Sequence, residues 1–228
     1  MAADGFAAEL QKEIDPLQEK VMYHPLYQAI YDGKLPVLVL REYAKQAYLW
    51  KSYAQELMPV LIPKSPPDVR RLAIKNLVSE EGLGNEPPHL QLLIEFGEEI
   101  GMRAEDFYEA EPILEVDALQ NFYARIFYGG SIIEAAAGLN FAFEGLLTRK
   151  YPKISAALKT HYKIGPKGLR FWDIHIEADA EHSGDGAYIL NKYANTPELQ
   201  AKARRTATVG LEHRWVAVEG IYRRFGGA

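Results

Sequence analysis

The sequence predicts an all-α protein, and three observations carry that prediction. Apolar residues recur at helical spacing along almost all of the 228 residues, the pattern left by burying one face of a 3.6-residue turn. Alternating apolar and polar runs bounded by turn dipeptides, which mark half-buried strands, are missing. Prolines follow capping residues where several periodic runs begin, and glycines stand where others end. The one stretch with strand character, LPVLVL at 35–40, is short and runs directly into REYAKQAYLWKSYAQELMPVLI, whose spacing is helical.

Taken in order, a first helix is expected at 5–14 and a second at 16–32, with Asp15-Pro16 between them as cap and first-turn proline. The second should kink at His24-Pro25, where the proline removes a backbone donor, and stop at Gly33. A long periodic run follows at 38–62. Ser65-Pro66 opens a helix at 66–81 that Gly82 ends, and helices at 87–100, closed by Gly101, 103–110 and 114–128 come next. A strongly apolar helix fills 130–162, Gly165 marks its end, and helices at 167–194 and 197–225 complete the chain, the last opened by Thr196-Pro197. No Gly-, Ser- or Pro-rich linker, repeat or low-complexity segment divides this series, so one domain over 1–228 is expected.

Composition excludes several functions. A net charge of −5, with acidic and basic residues interleaved, leaves no basic stripe to neutralise phosphates, which argues against nucleic acid and for a small-molecule partner. The absence of cysteine removes thiolate metal ligands, iron–sulfur clusters and cysteine nucleophiles together, so a metal must sit on nitrogen and oxygen. No run approaches a membrane span, and MAADGFAAEL lacks the features of a secretory signal, so no membrane partner and a cytoplasmic location are expected.

Three stretches carry candidate chemistry. In HIEADAEH, 175–182, His175, Asp179 and His182 fall at roughly 0°, 40° and 340° around a helix, one narrow stripe. Two imidazoles and a carboxylate suit iron or manganese; a solvated polar face is the competing reading, since Glu177 and Glu181 show that other faces are polar too. NLVSEEGLGNEPPHLQLL, 76–93, puts Glu80 and Glu81 at the end of one helix and His89 at the start of the next. Carboxylates there oppose the helix dipole unless a cation compensates them, and the connection from Gly82 to Pro88 can fold His89 back over them. SIIEAAAGLNFAFEGLLTRKYPKI, 131–154, buries Glu134 or Glu144 in an apolar helix, where an unpartnered carboxylate would take up a proton. Glu144, beside Phe141 and Phe143, is the better placed.

Jointly, NLVSEEG with its following His, the apolar helix ending in AFE, and HIEADAEH resemble the di-metal oxidase branch of the haem-oxygenase-like fold, nearest the chlamydial death-domain-associating protein branch. The stretch HPLYQAIYDGKL with YAKQAYL is similar to the wider superfamily of thiaminase II and pyrroloquinoline-quinone synthase. The resemblance implies a haem-oxygenase-like helical bundle and a homodimer. It assigns Glu80 rather than Glu81, His89, Glu144, His175, Asp179 and His182 as ligands of two Fe2+ ions, an iron–manganese pair being equally compatible, with O2 as co-substrate. The implied reaction is desaturation, C–C cleavage or N-oxygenation of a small amino-acid-like or fatty-acid-like substrate. The alternative is formation of p-aminobenzoate from the protein's own tyrosine with a lysine as amino donor. Tyr27 in HPLY matches the sacrificed position, Lys153 or Lys159 stands nearest the lysine, and Phe143 replaces a tyrosine; ordinary aromatic packing is the competing reading of Tyr27. A metal-free quinone-synthase-like enzyme or a non-catalytic binding protein of the same fold completes the alternatives, while thiaminase activity is excluded by the missing cysteine. His24 is expected to serve a turn and His161 and His213 to lie on the surface; Glu212 and Glu219 could reach the site from the opposite wall but are not assigned to it.

Overall fold

Helix α1 (Phe6–Met22) turns a continuous apolar stripe inward through Phe6, Leu10, Ile14 and Val21. In the computed structural model, which describes residues 5–83 and 87–226, that stripe runs straight past Pro16, so the break expected at Asp15-Pro16 does not occur. Pro16 is exposed, and water can take the carbonyl it leaves unpaired. The chain breaks instead at His24, whose Nδ1 accepts the Leu26 N–H at 3.1 Å and caps α2 (Pro25–Tyr31).

Helix α3 (Val37–Leu57) ends in a 3-10 turn at Met58–Leu61, followed by α4 (Pro67–Glu80), α5 (His89–Glu99), the short α6 (Glu105–Tyr108) and α7 (Leu114–Ala124). The run expected as one helix over 130–162 is compound. It opens as α8 (Ile132–Ala135), widens into a π-helical segment at Ala136–Glu144 and closes as α9 (Gly145–His161). A second π segment, Arg125–Gly129, follows α7. The long helices α10 (Pro166–Tyr193) and α11 (Pro197–Phe225) pack on either side of the first π segment, α10 also meeting α5 and α9 and α11 also meeting α1, α3 and α7.

Gly33, Gly82 and Gly101 end helices in the left-handed conformation at φ 67°, 65° and 81°, as expected. Gly165 does not: it is the extended residue before α10, and Lys163 takes the left-handed position after α9. Glu99, at the end of α5, accepts the N–H groups of Gly165 and Gly168 at 2.6 and 2.8 Å, a carboxylate placed on the positive end of α10. The result is a single helical domain with no strand among the described residues, and no helix is long and apolar enough to cross a membrane.

Candidate metal centre

The stripe on α10 faces inward. His175, Asp179 and His182 are 1, 1 and 3 % exposed, which removes the solvated-face reading. Glu80 closes α4, with Gly82 turning the chain immediately after it, and His89 opens α5 behind Pro88. The expected fold-back of the Gly82–Pro88 connection lies partly outside the described residues, but its outcome is plain: His89 Nδ1 stands 3.1 Å from Glu80 Oε2, and the His89 and His175 rings are 4.6 Å apart. Glu144 ends the π segment, its Oε2 accepting from Asn140 Nδ2 at 2.8 Å and its Oε1 lying 3.7 Å from His182 Nδ1.

All six predicted positions thus converge as two triads, Glu80–His89–His175 and Glu144–Asp179–His182, each offering donor atoms within 4.8 Å of one another. The donor set fits a metal pair on its own chemistry. His182 Nδ1 and Asp179 Oδ2 are buried without a hydrogen-bond partner, and buried polar atoms rarely stay unpaired unless something absent from the protein chain completes them. His175 Nδ1 donates to the Phe171 carbonyl at 2.6 Å, which fixes the tautomer and leaves Nε2 as the inward lone pair.

Electrostatics agree with three acids crowded away from water. Burial raises the Asp179 carboxyl well above its ordinary range, and the neighbouring Glu144 raises it further. Glu144 is raised chiefly by burial, against the opposing influence of His182. Burial pushes Glu80 the same way, but its contact with His89, together with the neighbouring His175 and the Lys51 ammonium, outweighs that and holds it low. His175 is lowered by burial and by Lys51, whose Nζ stands 3.5 Å from its Nε2.

Other expectations resolve locally. Glu81 accepts from Gln55 at 2.9 Å, Glu134 closes the capping box of α8 with Ser131, Glu212 is exposed, and Glu219 meets His24 Nε2 at 2.9 Å; none joins the triads. His161 is exposed and His213 half-buried. The lysine beside Tyr27 is neither Lys153 nor Lys159, both of which are exposed. It is Lys150, 1 % exposed, donating from Nζ to Tyr27 Oη at 3.2 Å and lying 4.2 Å from the Tyr27 ring centroid. Burial, reinforced by Arg214 and Lys51, holds the Lys150 amine well below its ordinary value. Tyr27 is fully buried, and that burial raises its phenol. Tyr151 bridges this pair to the triads, with Lys150 Nζ 5.4 Å from its ring centroid and the His175 ring 5.8 Å away on edge.

Lys150, Lys51 and Arg214 escaped sequence reasoning, although register could have found two of them. Lys150 occupies the apolar stripe Leu147, Tyr151, Ile154, and Arg214 the stripe Ala207, Leu211, Val218. A cavity of about 50 Å³ lies against the second triad, bordered by Trp50, Lys51, Glu80, Glu144, Asp179 and Arg214. Trp50 lines it, whereas Tyr48 packs on Phe107 and Tyr108, and Tyr43 on Tyr27.

A sequence-family profile described as "Iron-containing redox enzyme" matches residues 41–215. The chain is 25 % identical to a 4-aminobenzoate synthase of Nitrosomonas europaea over 99 % of its own length and 94 % of the relative's, and 26 % identical to a 4-aminobenzoate synthase of Chlamydia pneumoniae over 79 % of each. In fold it is similar to a domain of unknown function with a heme oxygenase-like fold from Shewanella denitrificans, with a TM-score of 0.84 at 14 % identity over 96 % of this chain and 93 % of that one.

Proposed function

The chain belongs to the family of iron-containing redox enzymes, and from that premise we propose that it is an O2-dependent di-iron enzyme that makes 4-aminobenzoate from its own Tyr27, with Lys150 as amino donor. The observation that carries this reading is the sealed Lys150–Tyr27 hydrogen bond one aromatic ring from the two triads. Glu80, His89 and His175 would hold one iron, and Glu144, Asp179 and His182 the other. Bound iron supplies the electrons with which O2 is reduced and made competent to break unactivated bonds.

The protein's own part is placement and exclusion of water. Tyrosine's ring and Cβ contain the carbon skeleton of 4-aminobenzoate, so forming it requires breaking the Tyr27 Cα–Cβ bond, oxidising Cβ to a carboxylate and replacing the ring oxygen by nitrogen. Lys150 Nζ already contacts that oxygen, and its depressed basicity favours the free amine needed to form the C–N bond; the ring oxygen then leaves as water, and release of the product breaks the Lys150 Nζ–Cε bond, with Cε oxidised to the aldehyde level at the expense of O2. Packing against Tyr43 fixes the ring, at 5.7 Å between centroids.

An external amino-acid-like or fatty-acid-like substrate is less well supported. Among the described residues, two spaces touch the six ligand positions: the cavity of about 50 Å³ beside Glu144 and Asp179 is far below the roughly 300–1,000 Å³ of pockets that enclose such molecules, and the one of about 270 Å³ beside His89 and His182 also falls short of that range. A metal-free or non-catalytic protein would leave two buried atoms of the ligand set, His182 Nδ1 and Asp179 Oδ2, without purpose.

Anaerobic loading with Fe2+ followed by exposure to O2 tests the proposal. The product should not exceed one molecule per chain, the peptide containing residue 27 should lose its tyrosine side chain, and protein labelled with 15N-lysine should pass 15N to the product. Tyr27→Phe should make none. Repeated turnover with Tyr27 intact, or a product free of 15N, would overturn it.

A further inference from the structure

Arg214 is 6 % exposed, yet no carboxylate among the described residues pairs with it. Its Nη2 donates to the Tyr123 hydroxyl at 3.1 Å, and the guanidinium lies 4.6 and 4.9 Å from the ring centroids of Trp50 and Phe143. Two ring faces and a neutral phenol do not balance a charge that cannot be relieved by deprotonation, and a buried unpaired ion costs several kcal/mol. The same side chain borders the cavity beside the second triad. Three carboxylates and two cations, Lys51 and Arg214, share that cavity, and metal ions on the triads would engage all three carboxylates. Both cations then face it without a counter-ion.

We propose that this cavity is a carboxylate-binding site in which Arg214 receives the carboxylate of a small monocarboxylic acid, with Trp50 and Phe143 holding the guanidinium plane in place. A planar guanidinium presents paired N–H donors that match a carboxylate two for two, which an ammonium cannot do. The site's size admits an acetate-sized acid directly; an aromatic acid requires Met58 or Leu147, flexible side chains on its border, to move aside. The charge count rests on the proposed metal occupancy, so binding and metal uptake are measured separately.

Trp50 lies on the guanidinium, so tryptophan fluorescence is the readout, in metal-free and Mn2+-loaded protein, titrated with acetate and with 4-aminobenzoate against acetamide and 4-aminobenzamide. The acids should saturate and the amides should not. Arg214→Met should weaken acid binding by about tenfold or more, with Arg214→Lys between the two. Ala54→Phe fills the cavity while leaving Arg214 in place, and should abolish binding even if Arg214→Met does not fold. Preference for 4-aminobenzoate would identify the acid as the reaction's product, and equal binding of acetate a separate small acid; either supports the site. Equal binding of acids and amides, or no saturation by either acid in both forms, would overturn it. Metal uptake without acid binding removes this inference alone, whereas acid binding without metal uptake removes the di-iron reading alone.

Discussion

Lys150 places a basic side chain where water does not reach, and its shift has a definite sign. Because burial holds its folded value below the ordinary one, the unfolded chain binds more protons between those two values. Stability then rises with pH across that window, and the cost of burying Lys150 is greatest below it. Lys150→Met should therefore stabilise the metal-free protein by about 1–2 kcal/mol at pH 6 and by less at pH 9, with Tyr27 retaining Tyr43 as a neighbour. Thermal melts at both pH values check this, and a gain that grows with pH would contradict it. His175 gives a second expectation. With Nδ1 committed to the Phe171 carbonyl, its other nitrogen stands among Glu80, His89 and Lys51, so His175→Ala should halve Fe2+ uptake and leave the Glu144 triad able to bind, as read by anaerobic titration.

The π-helical segment decides how the second triad is assembled. Widening the turn over Ala136–Glu144 leaves carbonyls to be satisfied elsewhere, and Gln18 on α1 donates to the Ala142 carbonyl at 2.9 Å, itself held by Arg149 at 2.6 Å. Gly186 on α10 lets the two elements close: a Cβ there would stand 2.9 Å from Asn140 Cβ and 3.2 Å from the Phe141 nitrogen, neither of which can swing away. Gly186→Ala should thus cost about 1–3 kcal/mol and weaken metal binding at Glu144, which Asn140 orients, more than at Glu80. Denaturant melts and metal titration measure the two effects. Helix α4 is attached differently. Its buried side chains are few, but Asp68 accepts from Tyr188, Lys192 and Tyr193 of α10 at 2.7–2.8 Å. Asp68→Ala should speed amide exchange throughout α4 and loosen Glu80, while α10 stays protected; unchanged α4 exchange would mean that packing alone holds it.

At the scale of the molecule, what was legible in the sequence followed one rule: side chains whose spacing matched a regular α-helix could be placed. The His175–Asp179–His182 stripe obeyed it, and so did the all-α class and most helix ends marked by glycine. Pro16 misled because its missing hydrogen bond falls on the solvent side, and the π segment was hidden because an extra residue per turn leaves no composition signature. Lys150 and Arg214 were passed over since a basic residue in an apolar register is ordinarily read as an interruption. The six converging residues come from four segments, and only the fold joins them: α4 and α5 meet α10 at one triad, and the π segment meets it at the other. Metal binding must then stabilise the whole bundle, because the unfolded chain cannot reproduce either triad. At metal concentrations about a hundred times the dissociation constant, one site adds about 2.7 kcal/mol, which for a chain of this length raises Tm by roughly 5–10 °C. Scanning calorimetry with and without Mn2+ should show that rise in the wild type and a smaller one in His175→Ala. An Asp179→Asn, His175→Ala double variant, in which both triads are broken, should show none, and a Tm unmoved by metal in the wild type would mean that the orphaned atoms of α10 await something other than a cation.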